Sequence, residues 1–297
     1  MPEQPAIRSS AHCIFSVDVE DWFHILDLPA TPPLSTWDGL PSRVEKNFFF
    51  LLDLFSEFNA RVTCFFLGWI ANRFPHLVRE AAARGHEIAS HGYAHQLVFH
   101  MRREDFRKDA ELSRQILEQL SGAQVLGYRA AGFSVIERTP WFFEELEAAG
   151  YAYDSSVFPA SRNHGGLQSA ARTPHRAPAT IQLIEFPITV SDGWGKPLCF
   201  FGGGYLRLFP GWLILRKTRE VLAEGRPVVF YVHPREIDPE HPRLPMPLGR
   251  RFRSYVNLSG TESKLRAILK EFPVVTFQNY LRQESEASVR VQSACAV

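Results

Sequence analysis

Short apolar runs recur along this chain, and five of them run into an ionisable residue. Ile14-Phe15-Ser16-Val17 leads into Asp18-Val19-Glu20-Asp21, Ile88-Ala89-Ser90 into His91, Gln124 to Tyr128 into Arg129, Tyr151-Ala152-Tyr153 into Asp154, and Val228 to Val232 into His233. Runs of this length bounded by turn residues suit buried strands, and Arg61 to Leu67 reads as another. Between them, apolar residues recur at helical spacing: Val44, Phe48, Leu51, Phe55 and Phe58; Ile70, Phe74, Leu77, Val78 and Ala81; Phe106, Leu112, Ile116 and Leu120. Strand and helix in repeated alternation predict an α/β fold with a mostly parallel sheet covered by helices, open or closed as a barrel. Such sheets assemble their sites at the C-terminal ends of the strands. Asp18, Glu20, His91, Arg129, Asp154 and His233 all fall there.

Those residue types suit metal-assisted hydrolysis. His91 and His95 share a face if the backbone between them coils into a helical turn, and two imidazoles with one carboxylate make a common mononuclear site. The carboxylate is expected from the acidic cluster after the first strand. A metal there polarises a carbonyl and lowers the pKa of water, a second carboxylate serves as base, and a separate histidine gives a proton to a leaving amine. His233 is the candidate for that acid.

Composition narrows the alternatives. A formal charge of +1 asks for neither nucleic acid nor an anionic surface. Cys13, Cys64, Cys199 and Cys295 form no Cys-x-x-Cys pair, so buried thiols are expected rather than a zinc ribbon or disulfide scaffold. The first ten residues have no apolar core and no run approaches the roughly 18 apolar residues of a membrane span, which makes a cytoplasmic enzyme the default.

The remaining segments read less specifically. Five prolines between Pro234 and Pro247 predict an irregular excursion, Ser259 and Glu262 have capping-box spacing, and Val274 to Phe277 reads as a last strand. Ile181 to Val190 reads as a strand interrupted by Pro187, and Gly202-Gly203-Gly204 as a bend. His24, His86 and His100 are read as ordinary polar residues. Arg250, Arg251 and Arg253 are read as a solvated face, with an anionic sugar or phosphate as the alternative use.

Asp18-Val19-Glu20-Asp21, His91-Gly92-Tyr93-Ala94-His95, Arg129-Ala130-Ala131-Gly132-Phe133, Tyr153-Asp154-Ser155-Ser156 and Tyr231-Val232-His233-Pro234 resemble, in order, the five motifs of the polysaccharide deacetylase family, the NodB-homology domain. Ser16 to Trp22, Gly202 to Tyr205, and Arg251 to Tyr255 with Asn257-Leu258 are similar to the branch found in exopolysaccharide loci of bacteria with exosortase systems. The resemblance spans about residues 14–277. It implies a distorted (β/α) barrel with fewer than eight full repeats and metal-dependent removal of N-acetyl groups from amino sugars. The expected organisation is an N-terminal arm at 1–11, a deacetylase domain at 12–281 with a Pro-rich insertion at about 234–255, and a flexible tail at 282–297.

By the same resemblance, Asp18 is the base, His91 and His95 bind a divalent metal, expected to be Zn²⁺, Arg129 orients the base, Asp154 tunes the acid histidine, and His233 is that acid. The usual adjacent Asp-Asp is here Asp18-x-Glu20-Asp21. Strand alternation puts residues 18 and 20 on one side, which favours Glu20 as the third ligand over Asp21. Trp22 and Phe133 are expected against the sugar, with core packing the competing reading for Trp22. A structural salt bridge is the competing reading for Arg129 with Asp154. The expected substrate is an N-acetylated glycan or a lipid-linked sugar precursor, handled in the cytoplasm or at the inner membrane face with membrane-associated biosynthetic partners. A cyclic-amide hydrolase of the allantoinase type and a carbohydrate-binding pseudoenzyme are the alternatives.

Overall fold

The computed structural model describes the backbone of residues 12–26, 28–160 and 165–295 and side chains up to residue 286. The N-terminal arm expected at 1–11 lies outside the described residues. The strands are β1 (Cys13–Val19), β2 (Thr63–Phe66), β3 (Glu87–Ser90), β4 (Gly127–Tyr128), β5 (Tyr153–Asp154), β6 (His175–Arg176), β7 (Ile184–Glu185), a small hairpin of β8 (Ser191–Gly193) and β9 (Lys196–Leu198), β10 (Val228–Val232) and β11 (Val274–Val275). The main sheet runs β10-β1-β2-β3-β4-β5-β7-β6, with β11 also on β1. All its pairings are parallel except β6 with β7. This curled half-barrel is the expected fold.

Side-chain alternation along β1 decides what faces where. Phe15, Val17 and Val19 join the core between sheet and helices, whereas Ile14 turns to the inner face with Phe65, Ala89, Val229 and Tyr231. Ser16 and Asp18 share the parity of Ile14, and His233 that of Tyr231, so the inner face turns polar towards the C-terminal strand ends. At the other end Phe277 and Tyr280, from the last helix, close the inner core.

The helices are α1 (Val44–Glu57), α2 (Gly68–Arg73), α3 (Pro75–Ala83), α4 (Arg103–Ser121), α5 (Phe142–Ala148), α6 (Gly203–Leu208), α7 (Gly211–Ala223), α8 (Leu248–Tyr255), α9 (Thr261–Glu271) and α10 (Phe277–Cys295). The α1 stripe Val44, Phe48, Leu51 and Phe55 is buried as the spacing predicts. On α4 the buried stripe is Phe106, Ala110, Ser113 and Leu117, and Leu112 is 44% exposed. Small residues win there because α4 approaches β3 closely enough for Ser113 Oγ to lie 2.7 Å from Ser90 Oγ.

Several local expectations are corrected. The segment Pro234–Ile237 is a 3-10 turn, and the insertion ends in α8. α9 starts from Gly260 with no side-chain cap; Glu262 pairs with Arg266 instead of Ser259. The backbone of 282–295 continues α10, where a tail was expected. Gly202 bridges to Tyr231, whose ring lies 2.2 Å from where a Cβ would sit, so the triple glycine is a close backbone approach followed by a bend into α6. Cys13, Cys64 and Cys199 are buried and form no disulfide, and burial pushes the Cys13 thiol up to about 12.

Candidate active site

His91 follows β3 directly, and the loop carrying it to His95 is not a helical turn. Gly92 has φ +73° and His95 φ +52°, so two left-handed residues fold the loop back. Gly68 and Trp69 donate to the carbonyls of Gly92 and Tyr93, and Asp109 on α4 accepts from Tyr93 N at 2.9 Å. These anchors bring the two imidazoles together, with ring centroids 5.2 Å apart.

Both rings converge on Glu20, whose Oε1 lies 3.1 Å from His91 Nε2 and 2.9 Å from His95 Nε2. All three residues are buried, and they form a cluster able to hold a metal ion. Protonation makes that fit specific. His91 Nδ1 lies 2.7 Å from the carbonyl of Arg129 and must donate to it, so in a neutral ring Nε2 presents a lone pair to the Glu20 oxygen. Two lone pairs facing each other inside the protein call for a cation between them, and the Arg129 carbonyl fixes the tautomer such a cation needs. His95 Nδ1 has no hydrogen-bond partner, and its Nε2 faces the Glu20 oxygen. Burial holds the His95 pKa below that of an ordinary histidine, although Glu20 opposes it, which keeps the ring in its ligating form.

Asp21, the alternative ligand, is committed elsewhere. Its carboxylate accepts from Trp22 N, Ser42 Oγ, Arg43 N and Val44 N, capping the 3-10 turn Trp22–His24 and pinning the start of α1.

Asp18 stands at the end of β1 with Oδ1 held at 2.7 Å by Arg129 Nη1. Arg129 is fully buried, also donates to Ser16 Oγ at 2.8 Å and to Ser155 O at 3.2 Å, and stacks 4.1 Å over the Phe65 ring. Its ion-pair partner is Asp18, so the competing reading, a structural Arg129–Asp154 salt bridge, does not hold among the described residues. Asp154 instead accepts from Ser156 Oγ at 2.6 Å, while Ser156 Oγ accepts from Ala130 N at 2.7 Å. Asp154 and Glu185 are register partners on β5 and β7, and burial raises the Asp154 carboxyl to about 6.

His233 closes the site from β10. Its Nε2 lies 3.8 Å from Asp18 Oδ2 and 3.7 Å from Glu20 Oε1. Its Nδ1 lies 3.1 Å from Glu236 Oε2, which also accepts His233 N, and Glu236 Oε1 is held at 2.7 Å by Arg207. Burial disfavours charge on His233, but Glu20 and Glu236 outweigh it and its pKa is raised. Asp154 thus bonds Ser156, whereas the carboxylate in contact with His233 Nδ1 is Glu236, unassigned from sequence. Its only advance signal is the three-residue spacing from His233 across Pro234, which permits the turn.

Two aromatic expectations meet crowded surroundings. Trp22 is only 6% exposed, donates from its indole to Pro41 O, and packs edge-on to Phe23, so it belongs to the core. Phe133 is buried against Tyr231 and lies 5.7 Å from the Arg129 guanidinium, supporting that charge from inside. His24, read as an ordinary polar residue, is buried with its ring 5.7 Å from His95 and between Trp37 and Trp69.

An α/β half-barrel carrying a Glu/His/His cluster, a carboxylate–arginine pair and a carboxylate-supported histidine at its strand ends has relatives. Residues 30–153 match the model of the polysaccharide deacetylase family, and residues 155–282 match a domain of unknown function (DUF3473). The peptidoglycan-N-acetylglucosamine deacetylase of Bacillus cereus is 32% identical over 72 residues, which are 24% of this chain and 26% of that protein, so the chain spans about a quarter of the curated relative it matches. Among solved structures, one from Mycobacterium smegmatis described as a polysaccharide deacetylase aligns with TM-score 0.63 and 19% identity over 97% of this chain and 95% of that one. PuuE allantoinase aligns with TM-score 0.61 and 19% identity over 94% and 93%. At these identities the likeness is one of fold.

Proposed function

We propose that the protein is a metal-dependent hydrolase that removes N-acetyl groups from N-acetylhexosamine units of a polysaccharide or its precursor. The observation that carries this reading is the meeting of Glu20, His91 and His95 with Asp18 and His233 at one point, the closest approaches being 2.9 Å to 3.8 Å. A base, an acid and a ligand set brought together are what amide hydrolysis requires and what mere glycan binding does not.

A divalent ion, for which Zn²⁺ suits the donor set, would be held by Glu20, His91 and His95 and would supply carbonyl polarisation and acidification of water. The chain's own residues do the rest. Asp18, held through Oδ1 by Arg129, takes the proton of the attacking water. His233 Nε2 gives its proton to the amide nitrogen as the C–N bond breaks, yielding acetate and a free amine. Glu236 steadies the charged ring from Nδ1, so it is a positioning residue, with Arg207 fixing it in turn. Asp154 acts through Ser156, holding the backbone beside Arg129.

An exopolysaccharide or its cytoplasmic precursor remains the substrate favoured by the sequence resemblance. Among the described residues no helix is long and apolar enough to cross a membrane. A cyclic-amide hydrolase, the reading the likeness to PuuE allantoinase would favour, would use the same residues, so turnover of allantoin and of N-acetylglucosamine oligomers should be compared. Acetate release from the oligomers, lost in His91→Ala and His233→Ala, supports the proposal; allantoin turnover without acetate release overturns it.

A further inference from the structure

Arg235 lies two residues after His233, inside the 3-10 turn Pro234–Ile237. Its Nε and Nη1 are out of contact with solvent, and neither has a hydrogen-bond partner. The other arginines of this region are occupied: Arg129 by Asp18, Ser16 and Ser155, and Arg207 by Glu236 and the carbonyls of Arg253, Ser254 and Val256. The carboxylate next to Arg235 in the chain, Glu236, is divided between Arg207 and His233 and has no oxygen to spare. Arg235 follows His233 by two residues in the turn that His233 caps, so it stands in the polar environment at the C-terminal end of β10. A second donor stands in that environment: His24 Nδ1 accepts from Asp21 N, which leaves the proton of the neutral ring on its buried, partnerless Nε2.

Arg235 is half-buried, and the two guanidinium donors it keeps from water, Nε and Nη1, are costly without an acceptor, a cost that an incoming oxyanion removes. We infer that Arg235 receives an oxyanion carried by the substrate, so that the glycan taken at this site bears a carboxylate or phosphate as well as its N-acetyl group. The inference rests on the deacetylase reading of the cleft and narrows its substrate class. The planar guanidinium suits either anion, and Lys would keep the charge but not that donor pattern. It also gives the anionic-sugar role to an arginine of the catalytic turn rather than to Arg251 and Arg253, whose side chains are exposed on α8.

The test is calorimetric titration of the full chain and of Arg235→Gln and Arg235→Lys with three probes: a tetrasaccharide alternating glucuronate and N-acetylglucosamine, N-acetylglucosamine 1-phosphate, and neutral N-acetylglucosamine tetramer. The wild type should bind at least one anionic probe about tenfold or more tightly than the neutral tetramer, with a preference that weakens as salt rises. Arg235→Gln should abolish the preference and Arg235→Lys restore part of it, with circular dichroism and melting temperature confirming that both variants fold. Preference for the uronate identifies a sugar acid as the source of the oxyanion, and preference for the phosphate a phosphorylated sugar. Equal binding of all three probes by the wild type, or an unchanged preference in a folded Arg235→Gln, overturns the inference. Arg235-dependent binding without acetate release from any probe would leave it standing and overturn the deacetylase reading, so the two fail separately.

Discussion

His233 Nδ1 lies 3.1 Å from Glu236 Oε2, and this contact gives the histidine proposed as the acid a fixed carboxylate on the side away from Asp18. Burial opposes charge on the ring, Glu20 and Glu236 favour it, and the pKa ends above the ordinary histidine value. As the acid must be protonated, the rate should fall as pH rises through this raised pKa. In Glu236→Gln one of the groups that raises it is gone, so the alkaline limb of the kcat/KM profile should move to lower pH. A pH–rate profile of both proteins checks this. His233→Ala should cost about 10²–10⁴-fold in kcat, the range for loss of a general acid. The linkage sign is the same for stability: the histidine's contribution is fully present below its unfolded pKa and is lost as pH rises through the folded one.

Arg129 and Asp18 form a buried pair at 2.7 Å, and removing one partner strands the other. Arg129→Leu should destabilise by about 3–5 kcal/mol, the range for breaking such a pair. Adding Asp18→Asn should recover part of that stability and none of the activity. Denaturant melts of the single and double variants give the coupling directly.

The two carboxylates after β1 should separate cleanly on mutation. Glu20→Ala should lose bound metal, as should His91→Ala and His95→Ala. Asp21→Ala should keep its metal and lose about 1–2 kcal/mol of stability, the worth of a helix cap at the upper end of its range. Elemental analysis of dialysed protein alongside a melting curve reads both effects.

Asp154 and Glu185 are paired across β5 and β7, and burial raises the Asp154 carboxyl to about 6 and that of Glu185 well above its ordinary value. The folded state therefore keeps protons that the unfolded state releases. Stability from this pair is present below the ordinary carboxylate pKa and declines as pH rises through about 6. Glu185→Gln, which imitates the protonated form, should flatten the decline in melting temperature as pH rises from the ordinary carboxylate range through about 6.

What was legible in the sequence follows from period and position. The period of two along β1 accounts for Ser16 and Asp18 on the inner face, whereas Glu20 lies just past the strand, its N bonded to the Asp18 carbonyl, and Asp21 caps a turn. The C-terminal ends of parallel strands placed His91, Arg129 and His233. Tertiary contact hid the rest. Glu236 reaches His233 only because Pro234–Ile237 turns, and a Pro-rich stretch shows no periodicity from which to predict that. The buried stripe of α4 follows Ala110 and Ser113 because β3 comes close, a fact of packing that hydrophobicity does not encode. His95 reaches the site through a left-handed loop rather than the helical turn suggested by spacing. Trp22 is withdrawn into the core by the Asp21 cap on one side and Pro41 on the other.

The most direct test of the account measures acetate and metal in the same preparations. Purified protein loaded with Zn²⁺ should hold one ion per chain and release acetate from N-acetylglucosamine oligomers or an acidic counterpart. His91→Ala should lose both ion and acetate release, whereas His233→Ala should keep the ion and lose acetate release. Wild-type acetate release from either variant, or an unchanged metal content in His91→Ala, would contradict the account.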